Sequence, residues 1–139
     1  MIHKDLLEKI TRYFMQREDI ITVYLFGSTV KNRERKDSDL DLAVLFSEGM
    51  DNYQRFEAKL QIANELEDHI KAKTDIVDLR SAALFFIHQV MKNKILLFDR
   101  DTYGRVSFEV NYRKEFFDHL PIYEQYHRQS IKRLRERKG

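Results

Sequence analysis

The sequence predicts an α/β (α+β) chain: a small mixed sheet of about four strands flanked by helices, followed by a C-terminal helical appendage. Three observations predict it. Short β-branched and aromatic runs alternate with amphipathic helical periods. A chain of 139 residues, 42% of them hydrophobic, is long enough to bury one core without covalent staples. With 4 Gly and 1 Pro, it has too few turn residues for a heavily turned all-β chain.

Each element follows in order. Ile2, Leu6, Ile10 and Phe14 recur every four residues and predict a helix over about 2–16. The run IITVYLF, Ile20 to Phe26, ends at Gly27 and reads as a buried strand. LDLAVLF, Leu40 to Phe46, is a second strand, and the stretch around Gly49 is a loop. Tyr53, Phe56, Leu60, Ala63, Leu66 and Ile70 mark the apolar face of an amphipathic helix. DIVDL, Asp75 to Leu79, is a third strand, and Ser81 is the expected N-cap of a short helix reaching Met91. ILLF, Ile95 to Phe98, is a fourth strand. Arg105 to Lys138 is expected to be mostly helical, with Val106, Val110, Phe117 and Leu120 as part of its apolar face and a kink or split at Pro121. The whole of 1–139 is expected to form one domain, with its core over about 20–100 and a helical segment over about 105–138.

Composition excludes several classes. No cysteine is present, so disulfides and thiolate metal sites are ruled out, and a reducing compartment such as the cytoplasm is expected. The longest uncharged stretch, Ser81 to Met91, is too short to span a bilayer, and the start MIHKDLLEKI carries charges where a signal peptide needs an apolar run. The net charge of +2 is unevenly spread. Six cations between Arg128 and Lys138 stand against Glu136 alone, leaving 19 basic and 22 acidic residues elsewhere, a net of −3. Cations at a helix C-terminus complement its dipole, so this tail reads as a solvated helix end rather than a nucleic-acid face. His3, His69, His88, His119 and His127 show no metal-ligand spacing.

The informative segment is LFGSTVKNRERKDSDLDLAVLF, residues 25–46. Gly27-Ser28 follows one strand, and after ten residues Asp39-Leu40-Asp41 opens the next. Residues at i and i+2 share a face of a strand, with Cα atoms about 6.6 Å apart. Asp39 and Asp41 therefore converge, and two carboxylates so close repel unless a cation joins them. Mg²⁺ prefers such oxygen ligands together with substrate phosphates. The glycine lets backbone approach a ligand, and the amides and hydroxyl after it suit phosphate oxygens. Together they describe a triphosphate–Mg²⁺ site at the ends of two strands.

The pattern G-S-x₁₀-D-x-D, here Gly27, Ser28, Asp39 and Asp41, resembles the nucleotidyltransferases of the DNA polymerase beta superfamily. FGS…SDLDLAVLF is similar to their minimal (MNT) branch, and the order of elements matches over about residues 20–80. The resemblance implies that family's fold. It also implies a third carboxylate on the next strand, a role that falls on Asp75 in Thr74-Asp75-Ile76-Val77. Asp78, three residues on, faces the other side of that strand. The family often carries a small residue and Arg-Gly after G-S-x, where this chain has Val30, Lys31 and Asn32. Asparagine tolerates the turn, but Lys31 lacks a bidentate fork, so phosphate contacts from Lys31, Arg33, Arg35 or Lys36 stay unassigned.

By the resemblance, Asp39, Asp41 and Asp75 hold two Mg²⁺ ions, Gly27 and Ser28 anchor the β and γ phosphates, and ATP is the donor. Related small-molecule and RNA enzymes add a helical acceptor domain for which this chain has little room. Free-standing MNT proteins of this size resemble the antitoxins of HEPN/MNT toxin–antitoxin pairs. That implies transfer of AMP to a tyrosine of a HEPN ribonuclease toxin, a hetero-oligomer with that toxin, and neither a membrane nor a nucleic-acid substrate. Two alternatives stand beside it: modification of a small molecule, and inhibition of the toxin by binding alone.

Overall fold

A computed structural model describes residues 4–27 and 40–138. In chain order these form α1 (Lys4–Met15), β1 (Ile20–Phe26), β2 (Leu40–Phe46), α2 (Asn52–Ile70), β3 (Thr74–Asp78), α3 (Leu84–Lys92), β4 (Ile95–Asp99) and α4 (Thr102–Lys138). The sheet order is β3-β2-β1-β4. β1 runs antiparallel to both β2 and β4, while β2 and β3 are parallel, so the sheet is mixed. A parallel pair needs a long crossover, and the 19-residue α2 supplies it.

Both faces of the sheet are covered, which is why β1 and β2 read as continuous apolar runs. On one face Val23, Leu25, Leu42, Val44 and Ile76 pack with Ile10 and Phe14 of α1 and Ile62 and Leu66 of α2. On the other, Tyr24, Ala43 and Leu45 pack with Ile87 and Val90 of α3 and Tyr112 of α4. Among the described residues no helix is long and apolar enough to cross a membrane.

Three expectations are corrected. The buried stripe of α2 is Arg55, Ala58, Ile62 and Leu66, and the outer residues Tyr53 and Phe56 are 69% and 56% exposed, with Leu60 exposed as well. The helix is rotated from the expected face because Arg55 turns inward to a carboxylate on β3. Its ends are set locally. Asp51 and Gln54 form a capping box, with Gln54 N donating to Asp51 Oδ1 at 2.7 Å, and Lys71 closes the helix in the left-handed conformation at φ 57°.

Second, α3 begins at Leu84 and has Ala83 at its N-cap position, with no side-chain cap. The Ser81 hydroxyl donates instead to Asp78 Oδ2, 2.9 Å away. Third, α4 continues through Pro121 without a break. Proline removes one backbone hydrogen bond, the one to the carbonyl of Phe117, itself an exposed residue. The face of α4 that packs on the body is Phe108, Tyr112 and Phe116, not Val106, Val110 and Phe117, which are exposed.

Candidate active site

Of the predicted site residues, Gly27, Asp41 and Asp75 gather at one end of the sheet, where β1 ends and β2 and β3 begin. Phe26, the last residue of β1, is the register partner of Asp41, and Asp41 is the register partner of Asp75. Register partners in neighbouring strands point to the same face. Asp41 and Asp75 therefore stand side by side on the face that also carries Ala43, Leu45 and Val77. Asp41 is half-buried and Asp75 exposed, so the pair opens from the sheet end to solvent.

Gly27 is shaped around this pair. Its φ is +83°, and a Cβ built there would lie 2.2 Å from Asp41 Oδ2. Any side chain would be both strained and in collision with the carboxylate. The glycine thus brings backbone against a carboxylate oxygen at the point where the chain leaves β1. An all-oxygen donor set beside a glycine cradle fits a hard cation such as Mg²⁺. Among the described residues, no group of three or more His, Cys, Asp or Glu is placed to hold a metal. Ser28 and Asp39, with Lys31, Arg33, Arg35 and Lys36, lie outside the described residues.

Asp78 is occupied elsewhere. It lies on the opposite face and is buried, with its Oδ2 2.9 Å from Arg55 Nε. The backbone N–H of Arg80 donates to Asp78 Oδ1 at 3.0 Å, and the Ser81 hydroxyl donates to Oδ2. Arg55 is held in turn by the Met50 carbonyl and the Asn52 side chain. A buried charge needs this degree of pairing. Arg55 was missed in the sequence because arginine on a helix normally reads as a solvated residue. Its spacing of three, seven and eleven from Ala58, Ile62 and Leu66 is the signal that places it on the inner stripe. Neighbouring Arg80 donates from Nε to the Phe46 carbonyl at 2.6 Å, and burial lowers its pKa.

A second polar network secures α4 to the sheet. Tyr24 donates its hydroxyl to Glu109 Oε1, and burial, then this bond, push the phenol pKa up. Arg105 pairs with Asp99 Oδ2 at 2.8 Å, and Asp99 also accepts from Thr22 and Thr102. Nearer the site, Phe86 of α3 meets Phe26 edge-on with ring centroids 6.2 Å apart. His88 of α3 stacks on Phe116 of α4 at 3.8 Å, and burial followed by the charge of Lys92 lowers its pKa.

Comparison with known proteins bears on the family and the fold. Residues 8–103 match the family described as polymerase beta, nucleotidyltransferase. The protein adenylyltransferase MntA of Shewanella oneidensis is 38% identical over 69 residues, a match that takes in 50% of this chain and 47% of that one. The chain thus spans about half the length of that curated relative. Among solved structures, a toxin–antitoxin with AMP-PNP matches with a TM-score of 0.69 at 26% identity, over 94% of this chain and 99% of that chain. An MNT antitoxin in complex with a tri-AMPylated Shewanella oneidensis HEPN toxin shares the fold, with a TM-score of 0.64 at 23% identity over 91% of this chain and 98% of that chain.

Proposed function

Because the chain belongs to the polymerase beta nucleotidyltransferase family, we propose that it is a Mg²⁺-dependent protein adenylyltransferase of the cytoplasm. Its acceptor is a tyrosine of a HEPN-type ribonuclease toxin, and its biological role is that toxin's antitoxin. The observation that carries this reading is the pair Asp41 and Asp75, in register on adjacent strands beside a glycine whose missing side chain makes room for a carboxylate oxygen.

The roles in this reading are as follows. Asp39, Asp41 and Asp75 would hold two Mg²⁺ ions, which when bound stabilise charge on the leaving pyrophosphate and ease deprotonation of the acceptor. Gly27, where β1 ends, and Ser28, the next residue in the sequence, bind the β and γ phosphates of ATP. Asp75, exposed at the edge of the pair on β3, faces the acceptor and takes the proton from its hydroxyl. The acceptor oxygen bonds to the α phosphorus as the bond to pyrophosphate breaks. A phenol, with a pKa of about 10, yields its proton more readily than an aliphatic alcohol. The added phosphodiester is bulky and negative, so near a ribonuclease site it repels RNA. What supports a protein acceptor is the MntA relative, named as a protein adenylyltransferase.

The test compares the toxin purified away from wild-type protein with the toxin purified away from the Asp39→Asn/Asp41→Asn variant, both prepared with ATP and Mg²⁺. Toxin exposed to wild type is expected to carry AMP on tyrosine and to stay inactive, whereas toxin exposed to the variant recovers. If both recover and neither gains mass, inhibition is by binding alone and the reading falls.

A further inference from the structure

The helix α4 carries a second apolar stripe that its own body leaves largely exposed, bordered near its middle by Phe85 of α3. Tyr103, Val106, Val110, Phe117, Ile131 and Leu134 are all exposed, and Leu120 is half-buried. They fill seven of ten positions spaced alternately by three and four: 103, 106, 110, 113, 117, 120, 124, 127, 131 and 134. This is an a/d heptad spacing over 32 residues, interrupted by the polar members Arg113, Glu124 and His127. The body packs against a different face, through Phe108, Tyr112 and Phe116. Pro121 falls at an e position, beside the seam. From 124 to 136 every residue of α4 is exposed, so this half of the helix reaches past the body that anchors its first half.

The pattern also says which helix fits it. Laid antiparallel on itself about a twofold axis between 118 and 119, the seam brings a positions opposite d positions. Tyr103 then meets Leu134 of the second copy, Val106 meets Ile131, Val110 meets His127, and Phe117 meets Leu120. Arg113 meets Glu124, twice in each pair by symmetry. A parallel arrangement instead sets Arg113 on Arg113 and Glu124 on Glu124, like charges in a desolvated seam. The antiparallel register also lays the basic stretch from Arg128 to Lys138 along the first half of the other helix, beside a body that is net −3. Charge and apolar pattern select the same arrangement.

We propose that this chain pairs with a second copy of itself through an antiparallel seam between the two α4 helices, registered by Arg113 of each against Glu124 of the other. The proposal is independent of the transfer reaction.

Sedimentation velocity on the full chain tests it. Wild type is expected to be a dimer at micromolar concentration, with twice the 16.9 kDa chain mass. Arg113→Glu and Glu124→Arg, each at an exposed position, are expected to weaken the dimer about tenfold or more, because each makes two like-charge contacts. The double variant Arg113→Glu/Glu124→Arg restores the pairing with signs exchanged, and dimerisation recovers towards wild type. Unchanged far-UV circular dichroism checks the fold of each. A monomeric wild type at tens of micromolar overturns the proposal. A double variant no tighter than the singles overturns the antiparallel register.

Discussion

Asp75 and Asp78 lie three residues apart on β3, and strand alternation sends them to opposite faces of the sheet. Asp75 stands exposed, in register with Asp41 on the neighbouring strand. Asp78 is buried and paired with Arg55 across to α2. One pair places two carboxylates in register at an open sheet edge, an oxygen donor set suited to a hard cation. The other neutralises charge in the interior, where an unpaired carboxylate would be costly. The difference separates a carboxylate suited to chemistry from one committed to the fold, and local sequence around the two, TDIVDL, scarcely distinguishes them.

The contrast is broken most forcefully on the structural side. Arg55→Ala leaves Asp78 buried without its partner and is expected to cost about 3–5 kcal/mol of unfolding free energy in denaturant titration. Asp75→Asn, at an exposed position, should move stability by no more than about 0.5 kcal/mol. The paired replacement Arg55→Met/Asp78→Leu should recover much of the loss, since a well-packed apolar pair can substitute for a buried ion pair. Equal stability losses for Arg55→Ala and Asp75→Asn would erase the distinction.

On the chemical side the order reverses. Asp75→Asn is expected to lower AMP transfer about 10²-fold, equivalent to about 2.7 kcal/mol at the transition state. Asp78→Asn should reduce transfer only in proportion to the folded fraction. Rates measured at a temperature where both variants remain folded separate the two effects.

Gly27→Ala acts on the boundary between fold and site. It forces a non-glycine residue to φ +83° and a methyl onto Asp41 Oδ2. A stability loss of about 1–2 kcal/mol is expected from the backbone alone, with a loss of transfer beyond what unfolding explains. Wild-type transfer in a folded Ala variant would mean that the close approach to Asp41 is not used.

The smallest effect belongs to His88. Its pKa is held below the ordinary value by burial, then by Lys92. A depressed folded value means the unfolded chain takes up protons first as pH falls. His88 therefore leaves stability intact above about pH 6.5, the unperturbed imidazole value, and subtracts from it progressively below. His88→Phe, which keeps the stack on Phe116, should flatten that part of the thermal stability profile between pH 7 and 5. An unchanged slope would assign the pH dependence to other groups.

Much of the molecule was legible without coordinates. The bounds of β1 and β2 follow from apolar runs ending at Gly27 and beginning after a charged spacer, because strands buried on both faces leave no ambiguity of facing. The choice of Asp75 over Asp78 followed from period-two alternation combined with a family resemblance, and the register of β2 with β3 puts Asp75 beside Asp41. Which face a helix buries was less legible. In α2 two stripes compete, and the one led by Tyr53 and Phe56 is the more apolar. The stripe led by Arg55 lies inward because the helix spans a parallel β2–β3 pair whose far face presents Asp78. α4 repeats the lesson, with Val106 and Val110 outward and Phe108 and Tyr112 inward. The sequence by itself determined the strands and the order of elements, and it singled out the candidate residues of the site, since those rest on local periodicity and on spacing along the chain. Only the tertiary structure decided which carboxylate received an arginine, how Gly27 meets Asp41 and which helix faces stay open. Each of those depends on the distance between segments remote in the chain, which no local pattern encodes.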